Sequence, residues 1–326
     1  MGPEVMTPFW LGYAFDVVLA TVLVVVAWMC VVSPARLGAV LLFVCLGVLT
    51  ALAWARLGAP DLALAEAILG AGVTGVLFVA AWSQSRDRTL LPAGRRRRLL
   101  ALGLATIVTA IAGFAVWPLM TSSAGLAAAV AANVSQTGVG HPVTAVLVDF
   151  RSFDTLLELG VLLAALVATW RLGLERKAFA KPWRDAISLV YARVVAPGLV
   201  LVAGLLLWRG ANEPGGAFQA GAALAAAGLL LVLVRDRLSM PAALVRVTAV
   251  LGVVAFAVLG AGALLATDHF LDWPDAHAGL FILLAEVGAT LAIGITLVGL
   301  VIGPQSGAPK QANSVRPTHD AAGPHS

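Results

Sequence analysis

The sequence predicts an all-α, multi-pass membrane protein with about nine transmembrane helices. Of its 326 residues, 60% are hydrophobic and 12% are charged, and the mean hydropathy is +0.96. Such a composition does not fit one soluble core. A helix rises about 1.5 Å per residue, so about 20 apolar residues cross roughly 30 Å of hydrocarbon. The candidate spans are 11–32, 37–57, 61–82, 99–120, 155–171, 188–208, 217–234, 245–266 and 278–302.

The basic residues predict how these helices are oriented. All of the 21 Lys and Arg except Arg56, Arg151 and Arg209 fall in alternate loops on one side. Loops rich in Lys and Arg remain in the cytoplasm. We therefore expect an external N-terminus, a cytoplasmic C-terminus and an odd number of helices in the cell (inner) membrane. The basic run 95–98 then contacts anionic lipid, and we expect no nucleic-acid partner.

Changes in composition mark the connectors between groups of helices. The Arg-rich stretch 83–98 and the charged stretch 171–185 are predicted cytoplasmic connectors. The tail from Gly303 onward is rich in Gly, Pro, Ser, Gln and Asn, so we expect it to be disordered. The N-terminus has no basic region before its first apolar stretch, which predicts an uncleaved first helix. Within the external segment 121–154 we expect a short helix.

Four acidic residues lie inside the predicted spans, namely Asp16, Glu66, Glu158 and Glu286. An ionisable side chain near the centre of a membrane helix costs about 2.5 to 3.5 kcal/mol on insertion, so such residues usually face other helices or water and often lie on an ion path. All four are predicted in the outer half of helices that run inward. Glu66 lies about 8 Å, and Glu286 about 12 Å, below the external end of its helix. We interpret them as candidates for a layer of protonatable groups.

Each acid also has a structural interpretation. Thr155 to Glu158 matches a capping box, in which Glu158 would satisfy backbone donors at a helix start. Asp61 and Asp154 are predicted helix-start residues. Asp16 is close enough to an interface to reach headgroup water, and Glu66 and Glu286 could each make a buried hydrogen bond that is only structural.

The remaining motifs suggest turns and close packing. The loop 212–216 contains Glu213, Pro214 and paired glycines, which predicts a tight turn or a subunit contact. Gly70, Gly72 and Gly75 provide small faces for close helix packing. Cys30 and Cys45 lack metal-binding spacing, and we interpret the loop with His269 and His277 as hydrated. We therefore predict no metal and no cofactor.

Three segments together resemble a known family. The run from Ala59 to Gly75, which contains Ala-Pro-Asp-Leu-Ala-Leu-Ala-Glu-Ala, resembles MbhD. The run 141–158 resembles MbhE, in which an apolar strand-like stretch precedes Asp-Phe-Arg, an Asp-Thr pair and an acid. The run 209–221, which contains Asn-Glu-Pro-Gly-Gly, resembles MnhB, the second subunit of Mrp-type multisubunit cation/proton antiporters. All three occur in order on one chain.

The resemblance implies a fusion of the C-terminal part of the first, MnhA-type antiporter subunit with the MnhB-type one. The expected segments are MbhD-like 1–90 with three helices, MbhE-like 91–180 with two, MnhB-like 181–303 with four, and the tail 304–326. It further implies that Asp149 and Arg151 are helix-start or subunit-contact residues. In J-type relatives the glycine-rich helix bends, so we expect a π-bulge around 70–75. Ser152 replaces the family's usual Gly, which we expect to alter only a turn.

The resemblance implies a transport role without enzymatic activity. The large antiporter-like half of the MnhA-type subunit does not precede the MbhD-like segment, so we expect this chain to work with antiporter-like and small K-type subunits in lipid. Na⁺ and H⁺ are the expected ions. Two alternatives remain open: a membrane-arm component of a redox-driven pump, related to membrane-bound hydrogenase or complex I, and a passive scaffold. Neutralising all four acids without loss of transport would favour the scaffold.

The position of Glu66 generates a first prediction. Glu66→Gln removes the ionisable group and keeps the size of the side chain, so we expect the complex to assemble and cation/proton exchange in vesicles to fall. Exchange equal to that of the unsubstituted complex would contradict a proton-carrying role for Glu66.

Overall fold

The computed structural model describes residues 9–78, 95–121, 125–172, 186–234, 241–274 and 276–302, and these ranges are helical with short connections. The helices are α1 (Phe9–Val32), α2 (Arg36–Arg56), α3 (Pro60–Phe78), α4 (Arg95–Thr121), α5 (Ala127–Asn133), α6 (Pro142–Ala145), α7 (Ser152–Arg171), α8 (Ala186–Arg209), α9 (Ala217–Val234), α10 (Ala242–Thr267) and α11 (Ala278–Ile302).

The predicted all-α membrane fold is confirmed. Within the described ranges, α1, α2, α3, α7, α8, α9, α10 and α11 are long and apolar enough to cross a membrane. The ninth predicted span is α4, whose apolar stretch Leu102–Trp117 is shorter. The short external helix is also present, as α5. Most of the two charged connectors and the tail 304–326 lie outside the described residues.

The apolar run 143–148, which has a strand-like sequence, is helical. α6 continues into a π-helix at Val146–Phe150. The backbone N–H of Arg151 closes that π-helix by donating to the carbonyl of Val146 at 2.8 Å. The Trp273 ring N–H donates to the Val148 carbonyl at 2.6 Å, and the Thr155 hydroxyl donates to that of Leu147 at 2.5 Å. Side chains from other helices and loops thus satisfy carbonyls of this segment, which the run's β-branched residues alone do not predict.

The core of the molecule is formed around α9. About two thirds of its membrane-spanning window is buried, and it packs against α8, α11 and α3. Its glycines bring it close to α11: a methyl group on Gly221 would lie 2.8 Å from Ile293 Cβ, and one on Gly228 would lie 2.8 Å from a Val298 methyl. Small residues on facing membrane helices allow such close packing. α9 is therefore held on three sides by its neighbours.

Two parts of the chain lie at the periphery. α1 packs mainly on α2, and the described side chains of α4 are exposed throughout. Asp16 of α1 and Arg56 of α2 form a two-point ion pair, with distances of 2.8 and 3.0 Å. Bidentate geometry of this kind is the strongest form of the Arg–carboxylate contact. The pair joins α1 to α2 near one end of the bundle.

One end of the bundle brings together the polar connections. The starts of α3, α6 and α9 meet the end of α8 there, through hydrogen bonds that join Asp61, Gly140, His141 and the loop 210–216. This alternation of helix directions agrees with the order of predicted spans. Which end faces outward remains a prediction from the loop charges.

The contact between α10 and α11 generates a stability prediction. A methyl group on Gly252 would overlap the Gly288 carbonyl oxygen and Ala292 Cβ, whereas no atom lies within 4 Å of one on Gly262 of the same helix. Overpacking of this kind costs about 1 to 3 kcal/mol. We expect Gly252→Ala to lower the thermal unfolding temperature of the purified protein. Gly262→Ala is the matched control and should not lower it, and equal behaviour of both variants would contradict this packing.

Candidate functional site

Glu286 is a buried acid in the third turn of α11, with 3% of its surface exposed. Its carboxylate accepts a hydrogen bond from the backbone N–H of Ala217, the first residue of α9. A methyl group on Gly216 would lie 3.1 Å from Glu286 Oε1, so the turn before α9 passes directly beside the carboxylate. The N-terminal end of a helix carries a partial positive charge of about half an elementary charge. Glu286 is thus placed where a negative charge is partly balanced.

Glu286 lines two cavities. The larger, of about 780 Å³, lies among α3, α6, α7 and α9, and its polar lining consists of Thr144, Arg151, Asp154, Thr155, Glu158, Gln219 and Glu286. The smaller, of about 240 Å³, has Gly138, Trp208, Asn212, Gly279 and Glu286 among its lining residues. Because one buried carboxylate borders both spaces, it stands at the boundary between them. A group in this position can exchange protons or contact cations from either side.

Glu158 lines the larger cavity together with Glu286. The capping-box alternative for Glu158 is wrong, because α7 begins at Ser152, three residues before Thr155. The Thr155 hydroxyl bonds the Leu147 carbonyl at 2.5 Å and does not cap α7. Glu158 is therefore in the second turn of the helix and is exposed on the cavity side.

The segment before α7 adds further charged groups. Asp154 lies in the first turn of α7 and forms an ion pair with Arg151, and both residues line the larger cavity. Asp149 lies in the π-helix Val146–Phe150 and is half-buried. Ser152 is buried, and its hydroxyl donates to the Asp149 carbonyl at 3.2 Å and to that of Leu271 at 3.4 Å. The expectation that Ser152 alters only a turn is wrong, because it contacts the loop between α10 and α11.

Asp61 lies in the first turn of α3, and its carboxylate is directed across the bundle. Oδ1 accepts from the backbone N–H of Gly215 at 3.1 Å, and Oδ2 lies 2.9 Å from Nε2 of His141. The Gln219 amide also donates to the backbone carbonyl of Asp61 at 3.4 Å. Asp61 therefore joins the starts of α3, α6 and α9.

Glu66 begins a π-helix that extends to Val73 within α3. The backbone N–H and the hydroxyl of Thr74 both reach the Leu69 carbonyl, five residues earlier, the latter at 2.7 Å. The π-helix includes Gly70 and Gly72 and ends before Gly75. Glu66 is half-buried, and its carboxylate is folded over Gly70. Its neighbours Ala65 and Leu69 line the larger cavity, whereas Glu66 is not among the lining residues.

The structure does not bring the other candidate residues to the cavities. Asp16 is paired with Arg56 on the α1–α2 surface, with 47% of its side chain exposed. Glu213 forms an ion pair with Arg209 at the end of α8 and is exposed. Gly75 meets Val44 of α2, since a methyl group there would lie 2.7 Å from a Val44 methyl. Roles for these residues in an ion path or a subunit contact remain predictions.

The polar groups that surround Asp61 do not stand out in the sequence. His141, Thr144 and Gln219 each lie in a segment that resembles the family, yet no pattern marks them as functional. His141 directly precedes Pro142, and Gln219 follows the paired glycines. Their partners are far away in the sequence, so spacing alone could not reveal them. In the described part of the chain, no group of three or more His, Cys, Asp and Glu residues is placed to hold a metal ion.

The fold of Glu66 over Gly70 generates a prediction. A methyl group at Gly70 would overlap the Glu66 carboxylate and lie 2.7 Å from its Cδ, whereas one at Gly72 makes only an ordinary contact of 3.7 Å. We expect Gly70→Ala to displace the carboxylate and to change the rate at which a carbodiimide labels Glu66, as measured by mass spectrometry. Gly72→Ala is the control from the same π-helix. Equal labelling rates in both variants would contradict this conformation of Glu66.

Comparisons with known proteins divide the chain in the same way. Residues 21–87 match the family model for MbhD of the MBH complex, and residues 187–306 match the domain related to the MnhB subunit of Na⁺/H⁺ antiporters. The comparison with curated proteins gave no match.

Two solved structures are similar to the chain. A chain of the Mrp complex from a Dietzia species is 26% identical with a TM-score of 0.74, and the match covers 95% of this chain and 36% of that one. A chain of the archaeal membrane-bound sulfane sulfur reductase is 24% identical with a TM-score of 0.51, over 62% of this chain and 97% of that one. This second match shows the fold alone. The chain spans about a third of the Mrp chain that it matches. With its MbhD segment, its MnhB domain and this shared fold, the chain belongs to the Mrp-type antiporter subunits, which are related to subunits of membrane-bound hydrogenases.

Proposed function

We propose that this chain is a membrane subunit of a multisubunit monovalent cation/proton antiporter, in which Glu286 and Glu158 contribute carboxylates to an ion path. The transported ions are Na⁺ and H⁺. Support comes from the MnhB and MbhD domains and from the similarity to a chain of an Mrp complex. The chain acts within a transport complex and catalyses no reaction of its own.

The observation that carries this proposal is the position of Glu286 between two cavities. A buried carboxylate inside a membrane protein is unfavourable unless neighbouring groups stabilise it. Here one backbone N–H and the N-terminal end of α9 partly balance the charge. The carboxylate can still bind a proton or a cation that arrives through either cavity. Protons and cations would then compete for the same group, as exchange requires.

Glu158 continues the path away from Glu286. It lies in the same cavity, whose walls also carry the hydroxyls of Thr144 and Thr155 and the amide of Gln219. Water within such a cavity can bridge polar groups that are too far apart for direct contact. Farther along, the Arg151–Asp154 ion pair borders the cavity. We propose that this charged edge faces the medium or an adjoining subunit.

The partners proposed for this chain are the antiporter-like subunits and the small K-type subunits of the same complex. Apolar residues of α7 that line the larger cavity, such as Leu157 and Val161, are exposed on this chain. The described side chains of α4 are exposed as well. Apolar surfaces at these places fit lipid or the helices of other membrane subunits. Glu66, beside the larger cavity on α3, is proposed as a further proton-carrying group that such a partner could reach.

Substitution of Glu286 tests the proposal. In the assembled complex in membrane vesicles, Glu286→Gln keeps the hydrogen bond from Ala217 and removes the ionisable group. We expect assembly to be retained and Na⁺/H⁺ exchange to fall by at least about tenfold, a factor that corresponds to the loss of one interaction with a charged group. Exchange would be followed as dissipation of a proton gradient after addition of Na⁺.

Asp272→Asn provides a matched control. Asp272 is exposed in the loop between α10 and α11 and lines neither cavity, so its neutralisation should leave exchange intact. If Glu286→Gln assembled normally and exchanged ions at the control rate, Glu286 would not be on the path, and a scaffold role would be favoured.

The fold shared with a chain of the sulfane sulfur reductase favours one second candidate, a membrane component of a redox-driven ion pump. The two candidates differ in the other chains of the complex. Mass spectrometry of the intact purified complex distinguishes them, because iron–sulfur or nickel–iron subunits indicate a pump. Their absence from a complex that exchanges Na⁺ for H⁺ supports the antiporter.

A further inference from the structure

We infer that Asp61 and His141 form a positioning pair that holds the turn 215–217 against Glu286, so that a residue of the MbhD segment controls the geometry of an acid in the MnhB domain. This inference rests on the proposed function of Glu286. It concerns two residues that line neither cavity and so do not meet the transported ions there.

The first step is the contact between Asp61 and the turn. Asp61 is buried, with 8% of its surface exposed, and both carboxylate oxygens have partners. Oδ1 accepts the backbone N–H of Gly215 at 3.1 Å. Hydrogen bonds to a charged acceptor are roughly twice as strong as those between neutral groups. The position of Gly215 is therefore fixed from α3, 154 residues earlier in the sequence.

The second step leads from Gly215 to Glu286. Gly215 and Gly216 have φ values of 157° and 102°, and at the latter value a side chain would be strained. The Gly216 N–H bonds the Leu206 carbonyl at 2.9 Å, and the next N–H, of Ala217, donates to the Glu286 carboxylate. The group that Asp61 holds and the group that Glu286 accepts are thus only two residues apart. A shift of Gly215 must move the Ala217 N–H.

The third step is the support that His141 gives to Asp61. Nε2 of His141 lies 2.9 Å from Asp61 Oδ2, and 13% of the His141 side chain is exposed. The backbone holds this ring in place, because the N–H groups of Gly140 and His141 both donate to the Ala211 carbonyl, at 2.8 and 3.0 Å. The Thr144 hydroxyl donates to the Gly210 carbonyl at 2.5 Å. The start of α6 is thereby tied to the same loop that Asp61 holds from the other side.

This arrangement separates positioning from ion binding. An asparagine at position 61 can still accept the Gly215 N–H through its carbonyl oxygen, and its amide can donate to a His141 ring nitrogen. An alanine can do neither. If Asp61 only positions the turn, Asp61→Asn should behave like the unsubstituted protein and Asp61→Ala should not. A residue that itself carried protons or cations would lose its role in both variants.

Hydrogen–deuterium exchange of the purified complex tests the positioning directly. In Asp61→Ala we expect the peptide that covers 213–219 to exchange about tenfold faster, since a hydrogen bond to a charged acceptor is lost. Asp61→Asn should show the original protection, and Asp272→Ala serves as the exposed control. Unchanged protection in Asp61→Ala would overturn the inference.

Transport measurements on the same variants complete the test. We expect Asp61→Ala to lower Na⁺/H⁺ exchange about tenfold and to have no added effect in a Glu286→Gln complex, because residues that act through one group are not additive. Equal loss in Asp61→Ala and Asp61→Asn would overturn the positioning role. If Glu286→Gln abolished exchange while Asp61→Ala did not lower it, this inference would fail and the proposed function would stand.

A second pair of variants applies if Asp61→Ala does not assemble. His141→Ala removes the partner of Asp61 Oδ2 but leaves the Gly215 contact, and His141→Gln restores a donor of similar reach. We expect faster deuterium uptake at 213–219 in His141→Ala and recovery in His141→Gln. Identical uptake in these two variants would overturn the role of His141.

Discussion

Backbone groups outside helices must find hydrogen-bond partners within a membrane protein, because hydrocarbon offers none. The loop between α8 and α9 meets this constraint with partners from the rest of the chain. Asp61 accepts from Gly215, Gly140 and His141 donate to Ala211, and Thr144 donates to Gly210. The satisfaction of this one loop fixes the relative positions of α3, α6, α8 and α9. The cavities beside Glu286 follow from that placement.

Close packing and open space have complementary places in this structure. α9 and α11 interlock through glycines over much of their length, which leaves no room between them. Toward the start of α9, the turn of Gly215 and Gly216 brings backbone next to Glu286 and leaves cavities on both sides. The rigid part of the helix pair thus supports the polar part. An acid on a mobile element could not be held at such a boundary.

Much of the fold could be predicted from the sequence because the dominant signal is hydrophobic length. The ends of α9 and α11 agree with the predicted spans, since apolar residues stop at charged or turn-forming ones. The predicted start of α7 is three residues late, because Ser152 and Phe153 before Asp154 resemble a loop. The helical state of 143–148 does not follow from the sequence, because its valines favour strands in isolation and side chains such as Trp273 satisfy its carbonyls.

The candidate site could be predicted only in part. Glu286 and Glu158 stand out as acids in apolar helices, and the structure places both at one cavity. The partners of Asp61 could not be found from spacing, because His141 and Gly215 lie 80 and 154 residues away. Nor could the sequence distinguish Asp16, which is paired with Arg56, from the acids beside the cavities. Charge in an apolar stretch indicates that a partner exists and does not identify it.

The Asp16–Arg56 pair also bears on how the protein enters the bilayer. Each residue alone would oppose insertion of its helix, by about 2.5 to 3.5 kcal/mol at the bilayer centre and less near its edge. The two helices are joined by a short connection, Ser33 to Ala35, so the opposite charges can meet as soon as both have left the ribosome. α1 and α2 are thereby suited to enter the translocon as one helical hairpin. Biogenesis of the chain would then begin with a neutral, pre-paired unit onto which the later helices assemble.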